Sequence, residues 1–159
     1  MMLERLMAAV GAYGAVLLQI SVLATWPLFG GQPSLVAVGG AVFLMMRRPV
    51  RGLWWVVTGG VLVDLLLPAR FGVTALPLVL SYIVSQSLLR WAIEGVGWWN
   101  SLILGLFLLV SAHLPVTIMT GAWTQLLHDL VAGALLLLPI SGFIASFLGP
   151  VQSGLRIGR

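Results

Sequence analysis

Apolar residues along this chain come in six long runs separated by short breaks: Leu6 to Leu28, Gln32 to Met46, Gly52 to Pro68, Phe71 to Leu89, Val96 to Met119 and Trp123 to Leu148. A helix needs about 17 to 25 mostly apolar residues to cross a bilayer, so each run reads as a transmembrane helix, the second being short and glycine-containing. The breaks are WPLFGGQP (26 to 33), RRPVRG (47 to 52), LPARFG (67 to 72), RWAIEGVG (90 to 97) and MTGAW (119 to 123). Connections this short predict that consecutive helices are antiparallel neighbours. The first run is too long for a signal-peptide core and shows no convincing cleavage site, so it is read as a span.

Composition agrees. The chain is 60% hydrophobic and 8% charged over 159 residues, which does not suit a water-facing surface. The expectation is an all-α polytopic membrane protein with six transmembrane helices, forming one helical-bundle domain over residues 1 to 159. Its charges are eight arginines, no lysine and four acids, a formal net charge of +4. The arginines are scattered between apolar runs and form no basic face, which argues against a nucleic-acid partner.

The same arginines set an orientation, because short cytoplasmic loops are enriched in Lys and Arg. With the N-terminus inside, Arg5, Arg47, Arg48, Arg51, Arg90, Arg156 and Arg159 face the cytoplasm and Arg70 alone lies outside. Seven against one also favours an even number of spans, with both termini cytoplasmic. Trp26, Trp54, Trp55, Trp91, Trp98, Trp99 and Trp123 all fall within a few residues of a proposed span end, where tryptophan prefers to lie.

Six helices leave no room for a soluble catalytic domain. HExxH, GxSxG and Walker A patterns are missing, and two His with two intramembrane Asp show no metal-ligand spacing. Zero Cys removes disulfides, thiolate sites and cysteine nucleophiles. The expectation is a non-enzyme without cofactor or metal.

The remaining chemistry lies in a few polar side chains. At 1.5 Å per residue, Asp64 lies roughly 18 Å along an outward span of about 30 Å. His113 falls near the outer end of the fifth helix, His128 and Asp129 fall in the first turns of the sixth, and Arg70 lies in the outer loop. Asp64, Arg70, His113, His128 and Asp129 are therefore expected to share an outer-leaflet polar cluster, with Arg70 pairing Asp64 and Asp129 competing for it. Such groups are costly in a membrane, about 2.5 to 3.5 kcal/mol at the cheaper end, and usually find partners. The cluster is either a polar site open to the outside, for a solute, a proton or a partner helix, or a set of fasteners between helix ends. Gly11 with Ala15, and Gly39 with Gly40, are candidate close-approach positions, while Pro77, Pro115 and Pro139 are candidate kinks.

The segment GGVLVDLLLPARFGVTALPLVLSYIV, residues 59 to 84, resembles the MreD family of rod-shape-determining proteins. The resemblance rests on Gly60, Asp64, Gly72 and Tyr82, with support from LLQI at 17 to 20, Pro33 and the loop RRPVRG, and covers roughly residues 17 to 90. It implies a six-helix protein of the bacterial inner membrane with a non-enzymatic scaffolding role in lateral cell-wall elongation. The implied partners are a single-span MreC-like protein and, through it, an MreB-like filament, a SEDS polymerase and a class B penicillin-binding protein. Arg70, His113, His128 and Asp129 are not positions that the resemblance carries over. The family also looks like the six-helix substrate-binding subunits of energy-coupling-factor transporters, which makes a small-solute transporter subunit the alternative.

Overall fold

The computed structural model describes residues 2–23, 25, 31–66, 72–91 and 98–148. Six α-helices follow one another: α1 (Met2–Leu18), α2 (Leu35–Met45), α3 (Pro49–Leu66), α4 (Ala75–Trp91), α5 (Trp98–Thr120) and α6 (Trp123–Leu148). A π-helical turn, Gln19–Leu23, continues α1. The chain is an all-α polytopic membrane protein. Helices α1, α3, α5 and α6 are long and apolar enough to cross a membrane. The outward faces of the bundle carry Leu6, Val10 and Tyr13 on α1, Leu80 and Val84 on α4, and Leu127, Val131 and Leu135 on α6, all exposed. A continuous apolar exterior of this kind suits lipid rather than water.

The second apolar run departs from expectation. Only 11 of its residues are helical, about 16 Å of rise against a hydrocarbon core of about 30 Å, and residues 31–34 lead into it without helix. A helix that is apolar all round belongs inside, and LVAVGGAVFLM has no polar face. Helix α2 is accordingly the core of the bundle, touching all five others, while α1 packs on α3, α3 on α4, α4 on α5 and α5 on α6. The expectation that consecutive helices are nearest neighbours therefore fails at α1, whose main partner is α3. The two run parallel, since Glu4 and Arg51 pair at their shared starting end.

Small residues make this core possible by admitting an indole rather than by bringing backbones together. A Cβ on Gly11 of α1 would lie 2.8 Å from the Trp55 ring, and one on Gly39 of α2 would lie 2.5 Å from Trp55 Nε1. Trp55 of α3 fills the space both glycines leave and donates from Nε1 to the Val36 carbonyl at 3.0 Å. It is thus a fastener of three helices, not an interfacial anchor. Its neighbour Trp54 is exposed, with the Arg5 guanidinium 5.8 Å from its ring centre.

The helix ends follow from local chemistry. Arg48 N donates to Phe43 O and Arg47 N to Leu44 O, closing α2 in a Schellman arrangement with Arg47 at φ 54°. Gly121, at φ 71°, ends α5 by donating to Thr117 O at 2.7 Å. Pro115 and Pro139 lie inside α5 and α6. Pro77 instead sits in the first turn of α4, where a missing N–H costs no intrahelical bond, so it opens that helix rather than kinking it.

Candidate functional site: two carboxylates at one end of the bundle

Asp64, His113 and Asp129 lie toward the same end of the bundle, as depth arithmetic predicts, but they do not form one cluster. The bundle holds two separate centres, one on α3 and α4, the other joining α5, α6 and the lead-in to α2.

The first centre is Asp64. Its carboxylate is 5% exposed and accepts three backbone hydrogen bonds: Gly72 N at 2.9 Å and Ala75 N at 3.0 Å on Oδ2, and Thr74 N at 3.1 Å on Oδ1. The first N–H groups of a helix have no intrahelical acceptor, and the helix dipole favours negative charge there. Asp64 thus caps α4 from the neighbouring helix. Arg70, the partner expected for Asp64, lies outside the described residues.

The geometry explains the spacing around it. Gly60 lies one turn before Asp64 on the same face of α3, and a Cβ there would sit 2.9 Å from the Cα of Ala75. That close approach brings the start of α4 within reach of a side chain as short as Asp. Gly72 has φ 89°, a conformation that glycine adopts freely, and this turns its N–H toward the carboxylate. Nearer the other end of the same hairpin, Tyr82 is fully buried on α4 and its hydroxyl donates to Pro49 O on α3 at 3.1 Å. It lies over Gly52, which has no Cβ to obstruct it. Gly60, Asp64, Gly72 and Tyr82 therefore all act in one seam between α3 and α4. All four are turned into the hairpin, so any effect they have on a partner runs through its shape.

The second centre is Asp129 of α6. Its Oδ2 lies 3.2 Å from His113 Nδ1 of α5, while Oδ1 accepts from Gln32 N at 2.6 Å and from Gln125 Nε2 at 3.0 Å. His113 is seven residues before the end of α5 and Asp129 six after the start of α6. Both thus lie about 10 Å from the intervening turn, which is why they meet. The non-helical lead-in is tied down nearby. Gln19 Oε1 of the π-helical turn accepts from Leu35 N at 3.0 Å, and the Ser34 hydroxyl caps α2 by accepting from Ala37 N at 3.3 Å. Gly31 packs against the His128 carbonyl and a Cβ there would lie 2.8 Å from Asp129 N. Irregular backbone at membrane depth is tolerated only where its polar groups are satisfied by protein or water, and here Asp129, Gln19 and Ser34 supply acceptors.

His128, expected in the cluster, is exposed and is not among the groups that hold Asp129, which are His113, Gln32 and Gln125. Gln19, Gln32, Ser34 and Gln125 escaped the sequence reading, although a glutamine inside an apolar run was a signal for Gln19 and a serine directly before an apolar helical run was one for Ser34.

Chemically, an Asp–His pair can orient an imidazole and hold a proton. His113 Nε2 is buried and has no hydrogen-bond partner. On the same helix the Ser111 hydroxyl donates to Phe107 O and the Thr117 hydroxyl to His113 O. Among the described residues, no three His, Cys, Asp or Glu side chains gather there as metal ligands. Comparison with family models, curated proteins and solved structures finds no match to this chain.

Proposed function

We propose that this chain is a non-enzymatic scaffold of the bacterial inner membrane that binds a single-span, MreC-like partner of the cell-wall elongation machinery. What carries the reading is the convergence of Gly60, Asp64, Gly72 and Tyr82 on one hairpin seam. Four positions that resemble MreD by spacing alone have a common mechanical purpose, which is to fix the angle and register of α3 against α4. Both carboxylates serve as fasteners in the same way, which fits a rigid binding surface better than a reaction centre. The outer face of that hairpin presents Leu76, Leu80, Ile83, Val84 and Leu88 along α4, a stripe suited to a partner helix.

The test is site-specific photocrosslinking in native membranes from Leu80 and Val84, with Leu135 of α6 as control. The reading expects an adduct with a coiled-coil, single-span protein from α4 and none from α6. Adducts with lipid alone from every position would refute it.

A second reading, a small-solute transporter subunit, is favoured by the interruption before α2 and the unpartnered His113 Nε2, because broken helices frame solute sites in many transporters. It expects thermal stabilisation by a solute that is lost in His113→Ala. The scaffold reading expects no solute to stabilise the protein.

A further inference from the structure

The arginine-rich end of the bundle holds a pocket unconnected with either carboxylate centre. It has a volume of about 300 Å3 and is lined by Leu3, Glu4, Met7 and Ala8 of α1, Phe43 of α2, and Arg51 and Trp55 of α3. That volume is at the lower end of the range for ligand sites, enough for part of one elongated molecule. Its lining is graded. Glu4 and Arg51 form an ion pair on one side, Leu3 and Met7 are exposed along the rim, and Ala8, Phe43 and Trp55 make the deeper, apolar floor.

Charge around the mouth is one-sided. Arg5, Arg47, Arg48 and Arg51 gather at this end against Glu4 alone, and Arg48 lies close enough to act on Glu4 electrostatically. Among the described residues Arg47 and Arg48 make no ion pair, while Arg5 lies over Trp54. The positive-inside rule puts this end at the cytoplasmic leaflet, where basic pockets between helices recognise anionic headgroups. The pocket starts at the first turn of α1 and reaches Met7 and Trp55, one to two turns deeper, so it spans headgroup depth and the upper acyl region.

We propose that this pocket binds one anionic glycerophospholipid of the inner leaflet, its phosphate held by Arg51 of the lining with Arg48 beside the rim, and the start of an acyl chain lying along Leu3, Met7 and Trp55. Glu4 is then the competitor within the site: it holds Arg51 when no lipid is present and yields it to the phosphate. The bound lipid bridges α1 to α3 at the place where Trp55 already joins α1, α2 and α3.

The test is native mass spectrometry of the whole chain, stripped of lipid in mild detergent and titrated separately with phosphatidylglycerol and phosphatidylcholine. At about 1 kcal/mol per arginine near an anionic surface, two arginines give phosphatidylglycerol roughly a tenfold or greater preference, with one molecule retained per chain. The double variant Arg48→Gln/Arg51→Gln loses that preference, and Arg48→Gln alone, which breaks no described contact, reduces it severalfold. Glu4→Gln raises it, because Arg51 is released to the headgroup. The last variant separates a lipid site from a mere structural ion pair, for which Glu4→Gln and Arg51→Gln would have the same effect. Equal binding of the two lipids, a preference that survives the double variant, or a drop in Glu4→Gln would each overturn the proposal. So would disulfide-linked dimers of Met7→Cys that form at the expense of lipid, since they would assign the pocket to a second copy of the chain.

Discussion

Replacing Asp64 by asparagine separates a structural carboxylate from one reserved for a ligand. In the native protein Oδ2 accepts from Gly72 N and Ala75 N while Oδ1 accepts from Thr74 N. Asparagine keeps one acceptor oxygen. With that oxygen on the Gly72 and Ala75 side, its NH2 group confronts Thr74 N–H, donor against donor. A buried donor left unsatisfied costs about 1 to 3 kcal/mol, and losing the negative charge at a helix N-terminus costs up to about 2 kcal/mol more when partly buried. The expected destabilisation is roughly 2 to 4 kcal/mol for Asp64→Asn and larger for Asp64→Ala, which strands all three donors. Equilibrium unfolding in mixed micelles measures the global cost. Hydrogen exchange gives the local signature: the amides of Gly72, Thr74 and Ala75 should exchange roughly 30-fold faster or more, at 1.4 kcal/mol per factor of ten, with little change at Leu35 and Ala37 around the other centre. An Asp64→Asn protein of unchanged stability, with those three amides protected as before, would refute the capping role.

Three further substitutions probe the rest of the framework. Gly60→Ala pushes a methyl group against the Ala75 backbone and should cost about 1 to 3 kcal/mol by overpacking, with exchange rising at the same three amides as in Asp64→Asn; loss of stability without that rise would disconnect Gly60 from the cap. Gly39→Ala should evict the Trp55 ring and break its bond to Val36 O, seen as a red-shifted tryptophan emission, and adding Trp55→Leu should recover part of the lost stability through coupling at one contact. Arg47→Gly relieves a left-handed non-glycine residue at the end of α2 and should raise stability by about 1 kcal/mol in a thermal-shift assay, whereas no gain would mean that the arginine side chain makes a compensating contact.

The six helices and their order were legible in the sequence because lipid requires long apolar runs, and the bounds of α3 to α6 depart from those runs by a few residues. The interruption before α2 was less so. The break WPLFGGQP ends at Pro33, which has no N–H to give a helix, but nothing local shows that Asp129, 97 positions from Gln32, captures the neighbouring amide. The central position of α2 was implicit in its lack of a polar face, but short loops suggested simple neighbour packing instead. The shared end of Asp64, His113 and Asp129 followed from counting residues along helices. Their partners did not, because a search for opposite charge overlooks the backbone, and the donors to Asp64 are amides that every sequence contains.

Asp64 and Asp129 both satisfy a stretch of chain whose amides have no helical acceptor, one at the start of α4 and the other before α2, and each does so from a different helix. A capping residue on the same chain segment, as Ser34 is for α2, stabilises a helix end wherever that end lies. A capping residue on a neighbouring helix stabilises the end only when the two helices are docked, so it ties secondary structure to tertiary packing. In water an undocked helix start can turn to solvent; at membrane depth it cannot, and its exposed amides are costly. The two carboxylates therefore couple the folding of α4 and of the α2 lead-in to assembly of the bundle. This coupling accounts for acids in a chain that otherwise excludes them, and it predicts that Asp64→Asn and Asp129→Asn destabilise different ends of helices, additively, because α3 and α4 on one side and α5 and α6 on the other share no partner in these hydrogen bonds.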